Sequence, residues 1–479
     1  MIFDALDETV NLNRSARIAI VGAGPSGMTL ARELARDNEV LLIEGGGLKS
    51  DPAYLALLEA ECVGLDYPLS DVLARQLGGA SALWAGYCAQ FDSHDFKLRN
   101  WVPDSGWPFD MDALLPYYAR TAELLNLGDC EFDVNRIATC AGIELPFDER
   151  MFASSVWRFG VPTLRFGEHL HETFEKERCL STLIHANVVD IYLDAEHSTV
   201  TELVVRTLNG REGRIRADFF VLACGGIETP RLLLNACGQV PYGVGNSSGL
   251  VGRYFMEHPH WTVSNLQLTD AKFFQSSAKR CQSNDGRQFM LCFGLSAQAQ
   301  ADIGALNARA HIYRTPAMSD IEPPRLGLFL EQAPNFHSKV DLSNRTDALG
   351  MRRARLDWCL TGLDRISFNT TARLLVEEFV RVGAGRNAAH SIVSDDSKVL
   401  PSNHQLGTTR MSANPANGVV DAQCRLHDTN NAYIISGSVF PTVGWANPTF
   451  TLLALTFRLA DTLRERLGMD TSEIGIIQT

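Results

Sequence analysis

Two stretches near the C-terminus carry residue types that can remove a proton and steer a hydride. The first is Asn403-His404-Gln405-Leu406-Gly407-Thr408-Thr409-Arg410-Met411. The second, about forty residues on, is Gly437-Ser438-Val439-Phe440-Pro441-Thr442-Val443-Gly444-Trp445-Ala446-Asn447-Pro448-Thr449. A histidine has an unperturbed pKa near ~6.5 and suits the role of base near neutrality. Asn447 cannot titrate, but its amide can hold a substrate oxygen in line. The run from Phe450 to Arg466 is expected to be a largely apolar helix. Pro448 at its first turn loses no needed donor, and the free N–H groups and positive dipole end there favour a developing negative charge. If the two stretches converge, base, amide and dipole end together suit the removal of a proton and a hydride from an alcohol. Taken alone, His404 also reads as a buried structural histidine satisfied by backbone. The chemistry requires an electron acceptor from elsewhere in the chain.

The first eighty or so residues offer one. Arg17-Ile18-Ala19-Ile20-Val21 reads as a buried parallel strand that runs into Gly22-Ala23-Gly24-Pro25-Ser26-Gly27 and a helix from Met28 to Arg36. A second strand, Val40-Leu41-Leu42-Ile43, ends on Glu44. In such a βαβ unit Gly22 allows the tight turn and Gly24 lets a pyrophosphate approach the backbone. Gly27 lets helix and strand pack closely, and Glu44 can take ribose hydroxyls. Gly45-Gly46-Gly47 after the acid is more usual for FAD than for NAD. A second small-residue run, Arg75-Gln76-Leu77-Gly78-Gly79-Ala80-Ser81-Ala82-Leu83-Trp84-Ala85-Gly86-Tyr87, lets backbone lie against something flat or anionic. Its other reading is a packing loop beneath a helix.

These stretches need elements to position them. A helix is expected over Leu114 to Leu125. A further helix from Gly167 should lead to a strand at His185 to Ile191, with antiparallel strands at Val200 to Leu208 and Gly213 to Phe219. Phe219 to Ala223 reads as another buried parallel strand, entering Cys224-Gly225-Gly226 and a helix from Thr229 to Asn235. Gly252 to His260 marks the exit to a second domain. There His260 to Leu268, Gln288 to Leu295, Leu326 to Gln332, Lys339 to Leu342 and Arg353 to Trp358 suit one antiparallel sheet, covered by a helix at Arg365 to Arg381. His258 and His260 flank Pro259, and pocket-lining, hinge and surface roles all remain open for them. Loops at 269–287 and 314–325 are expected over the mouth of the site. Residues 14–90, 180–252 and 398–479 are expected to form one α/β domain, a Rossmann-like dinucleotide fold. Residues 91–179 and 253–397 should form an interleaved substrate domain, a mostly antiparallel sheet flanked by helices.

Composition bounds the alternatives. The 43 basic against 56 acidic side chains give a net charge of −13, which disfavours nucleic acid or an anionic membrane as the main partner. No window reaches ~18 unbroken apolar residues, so no membrane span is expected. The eleven cysteines include no CxxC or Cys/His ligand spacing. They read as reduced thiols of a cytoplasmic protein without a metal site.

Taken together, Gly22-x-Gly24-x-x-Gly27 with Glu44, Leu77-Gly78-Gly79-Ala80-Ser81, Ala223-Cys224-Gly225-Gly226-Ile227-Glu228-Thr229-Pro230 and the two C-terminal stretches resemble the glucose–methanol–choline (GMC) oxidoreductases over nearly the whole chain. The resemblance implies a doubly wound FAD domain and oxidation of an alcohol by hydride transfer to flavin N5, with O2 or another electron acceptor completing turnover. It implies that His404 is the active-site histidine and Asn447 the second catalytic position. Val188 would meet the adenine through its backbone. Ser438, Pro448 and Thr449 would run past the pyrophosphate to the flavin pyrimidine, and Trp84, Ala85 and Gly86 would lie near N5. Ser26, Gly45 and Gly225 fall within the implied cofactor contacts. Some members bond FAD covalently through a histidine in the Gly-Gly loop. That position here is Leu83 and the loop has no histidine, so non-covalent FAD is expected. Several stretches are spelled like those of a bacterial branch that handles sugars, polyols, glycosides or sugar-derived natural products. The family also includes hydroxynitrile lyases, which leaves an FAD-containing lyase or isomerase as the alternative.

Overall fold

A computed structural model of the chain describes residues 1–265, 267–268, 276–313, 325–383, 385–386 and 398–468. Its larger sheet has eight strands. At its centre lies Arg14–Val21, whose last four residues, Ile18, Ala19, Ile20 and Val21, are buried. That is what a parallel strand covered on both faces requires. Val40–Ile43 runs parallel on one side of it and Glu212–Leu222 on the other. Glu212–Leu222 serves two neighbours. Its first residues pair antiparallel with Val200–Arg206, and Phe220 to Leu222 pair parallel with Ala432–Ile434. Asn187–Leu193 closes that edge.

The other edge departs from the sequence reading. Where a helix was expected to run on to His185, two short helices, Phe166–His169 and His171–Lys176, give way to a strand, Leu180–Ile184. This strand pairs parallel with Val40–Ile43 and with Ile2–Asp4, outside the span expected for the sheet. Leu180, Leu183 and Ile184 are buried, and His185 at φ +57° breaks the run into two strands. Helix Pro25–Leu34 begins earlier than expected, and helix Pro448–Arg466 begins with its proline in the first turn as expected, because proline fits the first turn, where its missing N–H has no intrahelical use. Helix Gly225–Asn235 likewise begins before Thr229.

The second sheet is antiparallel throughout. His260–Asn265, Arg325–Leu330, Ala308–Tyr313, Gln288–Leu295 and Cys281–Gln282 follow in that order, with Phe152–Arg158 also pairing Gln288–Leu295. Alternation divides its faces. Trp261 packs at 4.4 Å on Phe368 of helix Gly362–Arg381, while His260 points to the opposite side. Lys339–Thr346 and Arg352–Asp357 do not join this sheet as expected. They pair with each other, and Arg352–Asp357 pairs with Glu61–Cys62 on its other side, because their turn is drawn onto helix Gly225–Asn235, where the Arg231 guanidinium donates to Asp347 and to the Arg352 carbonyl. The expected mouth loops fall at 269–275 and 314–324 outside the described residues.

Candidate active site

The two C-terminal stretches lie side by side. The N–H groups of Gly407, Thr409 and Met411 donate to the carbonyls of Gly437, Ser438 and Val439 at 3.1, 2.8 and 2.8 Å. The Ser438 hydroxyl lies 2.6 Å from those of both Ser436 and Thr409. It is spent inside this splice rather than facing a cavity. The splice brings His404 to Asn447, which is the N-cap of helix Pro448–Arg466.

Around His404 the hydrogen bonds form one chain. Its Nε2 is 3.3 Å from Asn447 Nδ2, and its Nδ1 is 2.8 Å from His258 Nδ1. Trp157 Nε1–H donates to Asn447 Oδ1 at 2.8 Å. His258 Nε2 faces the carbonyls of Gly444 at 3.0 Å and Val443 at 3.3 Å. Carbonyls only accept and an indole N–H only donates, so the two ends assign every proton between them. His258 carries its proton on Nε2, and its Nδ1 accepts from His404 Nδ1–H. Asn447, with its oxygen engaged by Trp157, presents its amide N–H2 to His404. The lone pair of His404 therefore lies on Nε2. Burial, followed by the neighbouring His258, holds His404 well below the ordinary histidine range, and burial pulls His258 down to about 4. Both rings are neutral at neutral pH.

Glu257 holds the backbone on both sides of this pair. Its carboxylate accepts from the N–H of His258 at 2.7 Å, of His404 at 2.6 Å and of Ser402 at 3.1 Å, and from the Tyr67 hydroxyl at 2.5 Å.

Two cavities meet at this point. The first is lined by Gly22, Gly24, Ser26, Glu44 and Gly45, by Gly79, by Val188, by Ala223 and Gly225, and by Pro448 and Thr449. The second, of ≈ 660 Å³, is lined by Ser81, Trp84, Ala85 and Gly86 together with Asn447. His404 and Thr449 border both. Gly27 and Gly78 border neither of these cavities. A Cβ on Gly27 would sit 1.9 Å from the Gly22 carbonyl oxygen and one on Gly78 would sit 2.4 Å from the Gly167 nitrogen, so both are packing positions. The Ser81 hydroxyl donates to the Gly78 carbonyl and accepts from Phe166 N–H, which fixes the loop.

The first cavity fits a dinucleotide. Gly24 and Gly225 have no atom within 4 Å of where a Cβ would stand, so their backbones open onto the cavity. At φ +50°, Gly79 brings its loop against Gly24, where a Cβ would sit 2.9 Å from the Gly24 Cα. Arg75 Nη1 and Asn187 Oδ1 border the cavity as buried polar atoms with no hydrogen-bond partner among the described residues. The first N–H groups of helices Pro25–Leu34 and Pro448–Arg466 add donors and two positive dipole ends. Glu44 is buried, and its two oxygens accept from Ala23 N–H at 2.9 Å and Gly46 N–H at 2.8 Å. Among the described residues no cluster of His, Cys, Asp or Glu is arranged to hold a metal ion, and no helix is long and apolar enough to cross a membrane.

The sequence reading left His258 unassigned and passed over Trp157, His311 and Glu257. A signal existed for two of them. Ala308-Arg309-Ala310-His311-Ile312-Tyr313 alternates small or apolar with polar side chains, and Phe152 to Arg158 carries two aromatics in a strand-length run, so both strands and the residues they aim were accessible to a period-two search. Nothing in the sequence links Glu257 to His404.

Residues 334–456, which include His404 and Asn447, match the family model described as GMC oxidoreductase. This part of the chain carries the GMC oxidoreductase match, and the protein is an FAD-dependent oxidoreductase acting on CH–OH donors. It is 26% identical to 6'''-hydroxyparomomycin C oxidase of Streptomyces lividus, over 95% of this chain and 92% of that one. It is 28% identical to the fructose dehydrogenase large subunit of Gluconobacter japonicus, over 95% and 98%. Among solved structures, formate oxidase superposes with a TM-score of 0.66 at 17% identity, covering 95% of this chain and 99% of that one. Pyridoxine 4-oxidase from Mesorbium loti superposes with a TM-score of 0.61, also at 17% identity, covering 94% and 99%. At that identity the likeness shows the fold.

Proposed function

We propose that the protein oxidises a CH–OH group of a sugar, polyol, glycoside or sugar-derived natural product to a carbonyl, with His404 as the base. The observation that carries this is the fixed lone pair on His404 Nε2, set beside the Asn447 amide where the two cavities meet. The substrate hydroxyl enters from the second cavity and gives its proton to His404 Nε2. The amide N–H of Asn447 holds the oxygen as negative charge develops on it. FAD, when bound, supplies the acceptor for the hydride that leaves the same carbon as the C=O bond forms. Gly22, Gly24, Ser26, Gly45, Gly79, Val188, Ala223 and Gly225 would hold it along the first cavity, with Glu44 toward the ribose. Pro448 and Thr449 would present the helix N-terminus to it, a positive end that favours added negative charge. The relatives named for aminoglycoside and fructose oxidation support the substrate range.

The test is anaerobic mixing of the purified protein with sugars, polyols, glycosides and simple alcohols. Loss of the flavin's visible absorption is expected with at least one class. Full retention of the colour with every alcohol, with product formed by a non-redox route, would remove the reading. Peroxide formation during aerobic turnover separates O2 from other acceptors.

A further inference from the structure

The proton that His404 takes has a second place to go. His404 Nδ1 and His258 Nδ1 are 2.8 Å apart, and one proton lies between them. On its far side the His258 ring donates from Nε2 to the Gly444 carbonyl at 3.0 Å, with the Val443 carbonyl at 3.3 Å. His258 is therefore a base toward His404 and is tied to two acceptors behind. The two rings meet edge-on, with centroids 4.9 Å apart and 85° between their planes. The backbone beneath His258 is pinned as well. Its N–H donates to Glu257 at 2.7 Å, and its carbonyl accepts from the Ser402 hydroxyl at 2.6 Å.

We propose that His258 is a relay ring: as the substrate hydroxyl gives its proton to His404 Nε2, His404 passes its own Nδ1 proton to His258 Nδ1. The inference rests on the alcohol-oxidation reading above and deepens it. The substrate O–H bond breaks and an Nε2–H bond forms on His404. The Nδ1–H bond of His404 breaks and an Nδ1–H bond forms on His258. Only protons move along this path; the hydride leaves the carbon with its own electron pair. His404 ends neutral, with its N–H edge toward the substrate oxygen, and the positive charge rests on His258. No heavy atom has to shift, because the 2.8 Å contact serves as an N–H···N bond in either direction. Charged His258 has an acceptor for each of its N–H groups, His404 Nδ1 on one side and the Gly444 carbonyl on the other. Burial pulls both imidazoles down. On His258 the Val443 and Gly444 carbonyls and the Glu331 carboxylate act in the opposite sense, whereas on His404 the neighbouring ring adds to the fall. His258 is thus the better seat for the charge. With the charge moved there, His404 Nε2–H and the Asn447 amide are both donors to the new carbonyl oxygen.

The holoenzyme is reduced anaerobically, at saturating concentration, by an alcohol that bleaches its flavin, in mixtures of H2O and D2O. In the wild type the bleaching rate should fall below the straight line joining the two pure solvents, the signature of two protons in flight. H258N and H258Q offer His404 Nδ1 an amide oxygen, which holds the tautomer but takes no proton. Both should bleach about tenfold more slowly than the wild type, with a straight-line dependence on deuterium and little change in half-saturation. A role confined to fixing the tautomer gives the opposite pattern, with recovery in the amide variants and a straight line in the wild type. Flavin content reports whether each variant folds, and the wild-type curve needs no variant. A straight line or no solvent effect in the wild type, or amide variants at the wild-type rate, overturns the relay while His404 stands as the base. Failure of every alcohol to reduce the flavin removes the alcohol-oxidation reading and the relay with it.

Discussion

His258 fixes the tautomer of His404 across an Nδ1–Nδ1 distance of 2.8 Å. Without an acceptor at that point the proton on His404 could move to Nε2 and leave the substrate facing a donor. His258→Phe keeps a ring edge-on to His404, where the two now lie 4.9 Å apart, but removes the acceptor. Turnover should fall about 10–100-fold with KM changing less, because geometry in the reacting state is lost rather than uniform binding. His404→Ala should cost ~10²–10⁴-fold with flavin content retained. Turnover near wild type in the His404 variant would take the base away from this residue.

The other end of the chain is as easily cut. Trp157 Nε1–H holds Asn447 Oδ1 at 2.8 Å and so decides which end of the amide faces His404. Trp157→Phe keeps the aromatic surface and frees the amide to turn. A fall in kcat of about tenfold, near the ~1.4 kcal/mol of one hydrogen bond, is expected with flavin content unchanged. Asn447→Ala should give a larger fall. If Trp157→Phe changes only KM, the indole is a substrate contact and not an amide anchor.

Glu257 is a clamp with donors on every side. Burial pushes its pKa up to about 8, yet both oxygens face donors only. Those are three backbone N–H groups and the Tyr67 hydroxyl, which itself accepts from Gln405 Nε2 at 2.9 Å. Glu257→Gln turns an amide N–H2 against a backbone N–H and should cost about 1–3 kcal/mol of stability. It should also lower kcat, because the N–H of His404 is one of the groups released. Denaturant unfolding and turnover should move together. Stability lost with kcat intact would show that the clamp supports the fold and not the base.

Buried neutral histidines make an acid-sensitive fold. His311 is held at about 3 in the folded protein by burial, with His260 adding to the shift. The unfolded side chain has its pKa near ~6.5. Below that pH the unfolded chain takes a proton that the folded chain refuses, so stability falls as pH drops from ~6.5 toward 3. Several carboxyls oppose this trend, among them Asp364, raised by burial to about 6, so the clean measurement is a difference. His311→Phe should gain on the wild type as pH falls, by on the order of 2–4 kcal/mol near pH 4. A constant difference from pH 7 to pH 4 would mean that His311 takes up its proton equally in the folded and the unfolded chain.

Local patterns revealed what was local. The βαβ unit was legible because strand, Gly22 to Gly27, helix and Glu44 follow within thirty residues, and both prolines mark helix starts. The His404–Asn447 pair was legible because its two stretches keep their spelling around a spliced turn. What stayed hidden depends on contacts far apart in sequence. Leu180–Ile184 reads as the tail of a helix until Val40–Ile43 and Ile2–Asp4 are placed on either side. Glu257 finds its N–H donors at His404 and Ser402 across 147 and 145 positions of the chain. Trp157 meets Asn447 across 290 residues. The side-chain partners of Ser81 and Ser438 were hidden too: their hydroxyls bond to Gly78 and Phe166 and to Thr409 and Ser436.

The walls of the cavities bear on how the flavin is held. Covalent attachment needs a nucleophile beside the isoalloxazine, and the loop Leu77 to Tyr87 offers Leu83, half-exposed, where a histidine would be required. The thiol that borders the first cavity is Cys224. Its Sγ donates to the Val21 carbonyl at 3.3 Å, and burial pushes its pKa up to about 12, so it carries no thiolate at neutral pH. Flavin held only by backbone, dipole ends and packing should leave with the fold. Acid or heat precipitation should put the yellow colour into the supernatant, and the protein band on a denaturing gel should not fluoresce. A fluorescent band would locate a nucleophile outside these two positions and reverse the prediction.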